Sequence, residues 1–287
     1  MSSRSTPGLH ASAGLGSPGS SSPGPGSGPG SGPGLSFASL GSGSKGNATL
    51  VSDGETLVLV DCGFGMREAE RRLARLGVHP RQLAAVLVTH EHSDHITGVG
   101  ALARRHQLPV YLSAGSWLSG KLGDVPSHHL LVPQGRFAIG GLEIDPVTVP
   151  HDAREPIQFC FRAHGRRLGV LTDLGHPTSH VVDAFSGCDA LFLECNHDPR
   201  MLAEGPYPPH LKRRVAGRWG HLANGQAADL LRQLGLDRLQ RIVCSHLSAQ
   251  NNHPERVLEA LVPLLDGDES RLLVSAQDRG IDWQQVA

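Results

Sequence analysis

Thr89-His90-Glu91-His92-Ser93-Asp94-His95 is the stretch on which the fold turns. It follows Leu83-Ala84-Ala85-Val86-Leu87-Val88, an apolar run that reads as a buried strand ending in the cluster. His90 and His92 stand two apart at that strand's end, so both imidazoles project from one side of the backbone and can grip one ion. Asp94 and His95 come where the chain turns away and offer a carboxylate and an imidazole to a second ion. This nitrogen and oxygen donor set suits zinc.

Four ligands do not complete two sites, so more His and Asp are required at later strand ends. His151 follows Pro146-Val147-Thr148-Val149-Pro150, Asp173 follows Gly169-Val170-Leu171-Thr172, and His246 follows Arg241-Ile242-Val243-Cys244-Ser245. Each comes directly after an apolar run that would deliver it to the same edge.

Outward from the cluster, strands are expected at 35–40, 47–51 and 56–61, the first three in a hairpin-like arrangement broken by glycine-rich turns. Apolar residues three and four apart predict amphipathic helices over 66–76 and 99–105, the first ending at Gly77. The second half repeats the pattern, with strands at 142–149, 158–163, 167–172, 190–194 and 241–245 and helices near 226–234 and 254–264. Most strands end in a polar or titratable residue, which gathers chemistry along one edge. The expected architecture is α/β, two sheets covered outside by helices.

Residues 1–34 are almost wholly Ser, Gly and Pro, a composition that buries nothing, and they read as a disordered tail. Residues 35–287 are long enough for one domain with a substantial core. The tail has no continuous apolar stretch of the length a secretory signal or a membrane span needs, and the expectation is a soluble, cytoplasmic protein. Five cysteines, an odd number without C-x-x-C pairing, fit buried reduced thiols. The net charge is −1, and removing Arg4, the one formal charge in the tail, makes the remainder −2. A strongly basic nucleic-acid binder looks different, so a polyanionic substrate would be held by a local patch and by metal charge.

The H-x-H-x-D-H pattern, with Asp61 upstream and His151, Asp173 and His246 downstream, resembles the metallo-β-lactamase superfamily, whose fold is a four-layer αββα sandwich. The resemblance implies His90, His92 and His151 on one metal, Asp94, His95 and His246 on the other, and Asp173 bridging. Asp61 would hold the His loop without binding metal. The implied cofactors are two divalent ions, Zn²⁺ first and Mn²⁺ compatible, that activate water and stabilise charge at the attacked centre, with Asp94 counted among the catalytic groups. A lactam, thioester or phosphodiester can each be cut this way.

Leu193-Glu194-Cys195-Asn196-His197-Asp198 and Gly220-His221-Leu222-Ala223-Asn224 are similar to elements of metallo-β-lactamase-fold nucleases such as ribonuclease Z. By that analogy Glu194 orients His221, and His221 stabilises developing charge or protonates the leaving oxygen. No long tRNA-gripping insertion is recognisable. Gly41 to Asn47, Thr89 to Gly100, Glu194 to Asp198, Tyr207-Pro208, Leu211 to Arg214, Gly220 to Asn224 and His246 to Asn252 resemble the YycJ/WalJ family over nearly all of 35–278. That resemblance implies a 5′ to 3′ DNA exonuclease with a part in DNA repair. Alternatives are a hydrolase of a small phosphodiester or thioester, as in glyoxalase II, and a metal-containing binding or regulatory protein with little turnover.

Softer signals remain open. Gly41-Ser42-Gly43-Ser44-Lys45-Gly46-Asn47 lacks the Gly-Lys-Ser/Thr of a P-loop and reads as a tight turn near the metal edge, with Asn47 as a candidate phosphate contact. Lys212, Arg213 and Arg214 form the densest basic run, either a solvated helix face or a grip on DNA backbone. His197 is a candidate for substrate, metal or carbonyl. His106, His128, His129 and His164 receive no role.

Overall fold

The computed structural model describes Met1 and residues 34–287; the tail expected at 1–34 falls almost entirely outside the described residues. The first sheet contains β1 (Ser36–Gly41), β2 (Ala48–Ser52), β3 (Leu57–Val60), β4 (Ala85–Leu87), β5 (Pro109–Ser113) and β6 (Ser127–Leu131). The second contains β7 (Phe137–Ile139), β8 (Leu142–Thr148), β9 (Ile157–Ala163), β10 (Arg166–Leu171), β11 (Ala190–Glu194), β12 (Arg241–Ser245) and β13 (Leu272–Val274). β14 (Ile281–Gln285) returns to the first sheet beside β1, giving seven strands in each, ordered β14-β1-β2-β3-β4-β5-β6 and β13-β12-β11-β10-β9-β8-β7.

Side-chain alternation assigns the layers. Phe37, Val58, Val60 and Leu87 from the first sheet meet Phe159, Phe161, Val170 and Phe192 from the second in one inner core. Phe37 and Phe192 pack edge to face with ring centroids 5.3 Å apart. The alternate residues Ala38, Leu57 and Leu59 face outward against Leu73 of helix Met66–Arg75 and Leu102 of helix Val99–His106. On the other side Leu191, Leu193 and Ile242 pack under helices Ser179–Phe185, Asn224–Leu234 and Pro254–Leu261. Both faces of each sheet are therefore covered, which is why the strands read as near-continuous apolar runs. The result is the four-layer αββα sandwich.

β3 to β6 run parallel, as do β10 to β13. β8 and β10 are each antiparallel to β9, so they too share a direction. The C-terminal ends of like-directed strands lie on one edge, where open α/β sheets place their sites. Asp61, Thr89-His90, His151, Asp173, Glu194 and His246 all follow or end these strands. All five cysteines are free and buried.

Candidate metal centre

Two triads of side chains converge on that edge, each with its ligand atoms within 4.8 Å of one another: His90, His92 and His151, and Asp94, His95 and His246. Asp173 closes a further group with His90 and His95, and another with Glu194, His221 and His246, so it stands between the triads.

The tautomers follow from the hydrogen bonds behind the rings. The Thr89 hydroxyl donates to Asp61 Oδ2 at 2.8 Å, so its oxygen accepts from His90 Nδ1 at 2.9 Å and the lone pair falls on His90 Nε2. His151 Nδ1 donates to the Gly220 carbonyl at 3.0 Å, which leaves Nε2 bare. Those two Nε2 atoms lie 3.0 and 3.2 Å from His92 Nδ1. Burial holds His90, His92 and His151 below the usual histidine range, so all three are neutral donors. Three converging lone pairs cannot satisfy one another, and a cation satisfies all three.

The second triad carries anionic charge. His246 Nε2 is 3.1 Å and His95 Nε2 3.5 Å from Asp94 Oδ2. Burial opposes charge on His246, but Asp173, Asp94 and Glu194 outweigh it and push the imidazole up to about 10. Burial likewise opposes charge on His95, and Asp173, Asp94 and Asp61 raise it well above the ordinary value. The surrounding imidazoles hold Asp94 and Asp173 below the carboxylate range against burial. Asp173 Oδ2 is buried and lies 3.1 Å from His95 Nε2 without the alignment of a hydrogen bond. The residues thus fit a divalent cation, which replaces the shared protons on binding.

Asp61 supports both triads. It accepts from Thr89 N, Thr89 Oγ1 and His95 Nδ1, each at 2.8 Å, and adopts φ +59°, a left-handed conformation uncommon outside glycine. His246 shares that conformation at φ +55°. Asn tolerates it, so Asp61→Asn keeps the backbone while removing the charge that orients His95. Metal affinity is expected to fall about 10- to 100-fold, measured by competition with a chromogenic chelator. Gly63 is required for a different reason: a Cβ there would lie 1.8 Å from the Asp94 carbonyl oxygen.

Asn47, a candidate phosphate contact in the turn near the metal edge, faces the metal loop. It is 4% exposed, its Oδ1 accepts from Ser42 Oγ and Gly43 N, and its Nδ2 lies 3.3 Å from the Asp94 carbonyl and 3.2 Å from His95 Nε2. The amide braces the turn and the Asp94–His95 segment.

Glu194 is fully buried. Oε1 lies 2.6 Å from His221 Nδ1, while Oε2 accepts from Leu174 N at 2.8 Å and Leu222 N at 3.1 Å. Held on both oxygens, the carboxylate accepts from His221 Nδ1, so Nε2, on a ring that lines the cleft, is a bare acceptor in the neutral ring and a proton donor in the imidazolium.

That cleft, about 320 Å³, is also walled by His92, Asp94, Asp173, His246, Ser44, Lys121, Tyr207 and Arg214. The basic run sits on helix Pro209–Val215 but its members diverge. Arg214 enters the cleft and pairs with Asp152, Lys212 Nζ donates to the Ala203 carbonyl at 2.6 Å, and Arg213 is exposed. His197 is 2% exposed, belongs to none of the ligand groups among the described residues, and is pulled down to about 4 by burial. Its Nδ1 has no hydrogen-bond partner among the described residues.

Sequence reasoning missed three groups. Lys121 Nζ donates to the Glu91 carbonyl at 2.8 Å from a Gly-rich loop with no local signal. Tyr207 was visible in a motif yet without a role. Asp152 follows His151 directly, and its Oδ1, buried and without a hydrogen-bond partner among the described residues, lies 3.6 Å from both His92 Nε2 and His151 Nε2.

Residues 56–246 match the Beta-lactamase superfamily domain model. Exodeoxyribonuclease YycJ of Bacillus anthracis is 35% identical over 229 residues, 77% of this chain and 85% of that protein. Exodeoxyribonuclease WalJ of Streptococcus pneumoniae is 34% identical over 226 residues, 76% of this chain and 84% of its own length. In structure, the metallo-β-lactamase fold protein YhfI from Bacillus subtilis superimposes with a TM-score of 0.68 at 15% identity, covering 88% of this chain and 99% of that one. With its αββα layers and its His and Asp edge, the chain belongs to the metallo-β-lactamase superfamily and, within it, to the YycJ/WalJ family.

Proposed function

We propose that residues 35–287 form a two-metal phosphodiesterase domain that removes nucleotides from DNA in the 5′ to 3′ direction. The observation that carries this reading is the buried Glu194 fixing His221 beside the two triads, an acid placed where a leaving oxygen needs a proton. The names of the B. anthracis and S. pneumoniae relatives support DNA as substrate.

His90, His92 and His151 would hold one ion, Asp94, His95 and His246 the other, with Asp173 between them. Divalent metal there, Zn²⁺ by donor type with Mn²⁺ compatible, supplies an activated water and neutralises charge on the attacked phosphate. The chain's own residues do the rest. His221 Nε2 gives its proton to the departing 3′ oxygen, and Glu194 stabilises the imidazolium before that transfer. Arg214, braced by Asp152, and Lys121 hold backbone phosphates at the cleft. Asp61 keeps His95 in register. The five free, buried thiols suit the reducing cytoplasm.

The test is end-labelled 5′-phosphorylated duplex DNA, RNA, bis-p-nitrophenyl phosphate and a thioester, each incubated with protein of measured metal content and with its His92→Ala variant. Stepwise loss of nucleotides from the DNA 5′ end is the expected result, absent in His92→Ala. Turnover of the thioester alone rejects the proposal.

A further inference from the structure

Trp219 is 61% exposed, the aromatic member of the few exposed large hydrophobic side chains among the described residues. An indole left in water forgoes the burial that normally accounts for a Trp in a fold, and such display marks a contact surface. The loop that presents it is not loose. His221 N donates to the Val215 carbonyl and Gly220 N to the Gly217 carbonyl, both at 2.9 Å, while the Gly220 carbonyl receives His151 Nδ1. On its inner side the loop packs against Gly175, where a Cβ would lie 2.1 Å from the Arg218 carbonyl oxygen. Trp219 is therefore held two residues from His221, beside a cleft walled by Arg214, Val215 and His221.

The surroundings select the occupant. Arg218 is exposed, and its Nη2 lies 3.2 Å from His176 Nε2, whose ring stands edge-on to the indole at 6.2 Å. Arg213, also exposed, makes no ion pair among the described residues. A flat aromatic surface interleaved with cations, on a chain whose net charge is −1, is the arrangement that stacks bases and tracks phosphates in single-stranded nucleic acid.

We infer that Trp219 and Arg218 form a stacking platform for an unpaired base of the DNA end, so that the enzyme engages ends already frayed or single-stranded. The inference rests on the DNA reading above. Its experiment uses the metal-loaded protein and a 5′-phosphorylated single-stranded oligonucleotide whose phosphorothioate linkages resist hydrolysis. Binding is followed by tryptophan fluorescence, and an abasic site is moved through the first several positions.

Wild-type fluorescence is quenched on binding, and an abasic site at one position weakens binding about tenfold, the loss of one stacked base. Trp219→Ala loses the quench, binds about tenfold more weakly and no longer distinguishes that position. Trp219→Phe keeps a ring and recovers part of the discrimination. Equal quenching and affinity in Trp219→Ala, or no position sensitive to base removal in the wild type, overturns the platform. Self-association that disappears in Trp219→Ala while DNA binding persists overturns it in favour of a second copy. A wild-type protein that binds no DNA, or binds RNA in its place, rejects the DNA reading itself.

Discussion

Asp173→Asn is expected to reduce bound metal from two ions per chain toward one or none and to lower phosphodiester turnover by about 10³-fold or more, the equivalent of several kcal/mol of charge stabilisation. Asp173 is 1% exposed and leaves β10 at the point where both triads meet. Its Oδ2 lies 3.1 Å from His95 Nε2, and its Oδ1 is 3.8 Å from His151 Nε2 and 3.5 Å from His221 Nδ1. Asn preserves the volume but brings an uncharged amide whose hydrogens face imidazole lone pairs. The effect is thus electrostatic and not a cavity. Elemental analysis of the purified variant checks the stoichiometry. Chelation provides a second reading, because a ligand bound to the native state adds about 2.7 kcal/mol of stability at a hundred times its Kd. EDTA should therefore lower the melting temperature of the wild type more than that of the variant. A variant that keeps two ions and wild-type turnover removes Asp173 from the centre.

The central strands and the site were legible for the same reason. A strand buried on both faces announces itself as an apolar run, and parallel neighbours send their C-terminal ends to one edge, so the next polar residue is placed by topology. His151, Asp173 and His246, far apart in sequence, are brought to that edge in this way. The rule fails at the margins of the sheets. β6, Ser127-His128-His129-Leu130-Leu131, is exposed at its first four positions and reads as loop, while its His128 stacks on Trp117 with centroids 3.8 Å apart. β14, Ile281-Asp282-Trp283-Gln284-Gln285, is too polar to read as a strand, and pairing with β1 determines its structure. β5 opens on Pro109, a residue that weakens a strand assignment wherever the neighbours are unknown. At the site, the residues that spacing left undecided are those defined by direction and not by type. Asn47 turns inward to the metal loop, and Lys212, Arg213 and Arg214, adjacent in sequence, reach three different environments around one helix. Spacing alone does not tell which side chain of a helix end faces a cleft.

Replacing His221 by Ala tests the acid directly. Turnover of DNA is expected to fall about 10²- to 10⁴-fold, with metal content unchanged, since the two triads would hold the ions without it and its group with Asp173, Glu194 and His246 would not; a loss of metal would reassign His221 as a ligand. Glu194→Gln should approach the same loss by a different route. Glu194 accepts from His221 Nδ1, Leu174 N and Leu222 N, and its Oε1 also lies 3.3 Å from His246 Nδ1; Gln brings a single carbonyl oxygen to that task. If the oxygen keeps the backbone donors, the amide NH₂ faces the imidazole, so Nδ1 becomes the acceptor and the neutral ring carries its proton on Nε2. The imidazolium is then left without its counter-charge, which separates a positioning role from simple packing. A diester with a p-nitrophenolate leaving group needs little protonation, so it reports the difference. Both variants should lose far less on thymidine 5′-p-nitrophenyl phosphate than on DNA, and the ratio of the two losses measures the acid contribution. Equal losses on both substrates would assign His221 to phosphate binding and remove Glu194–His221 as the proton donor.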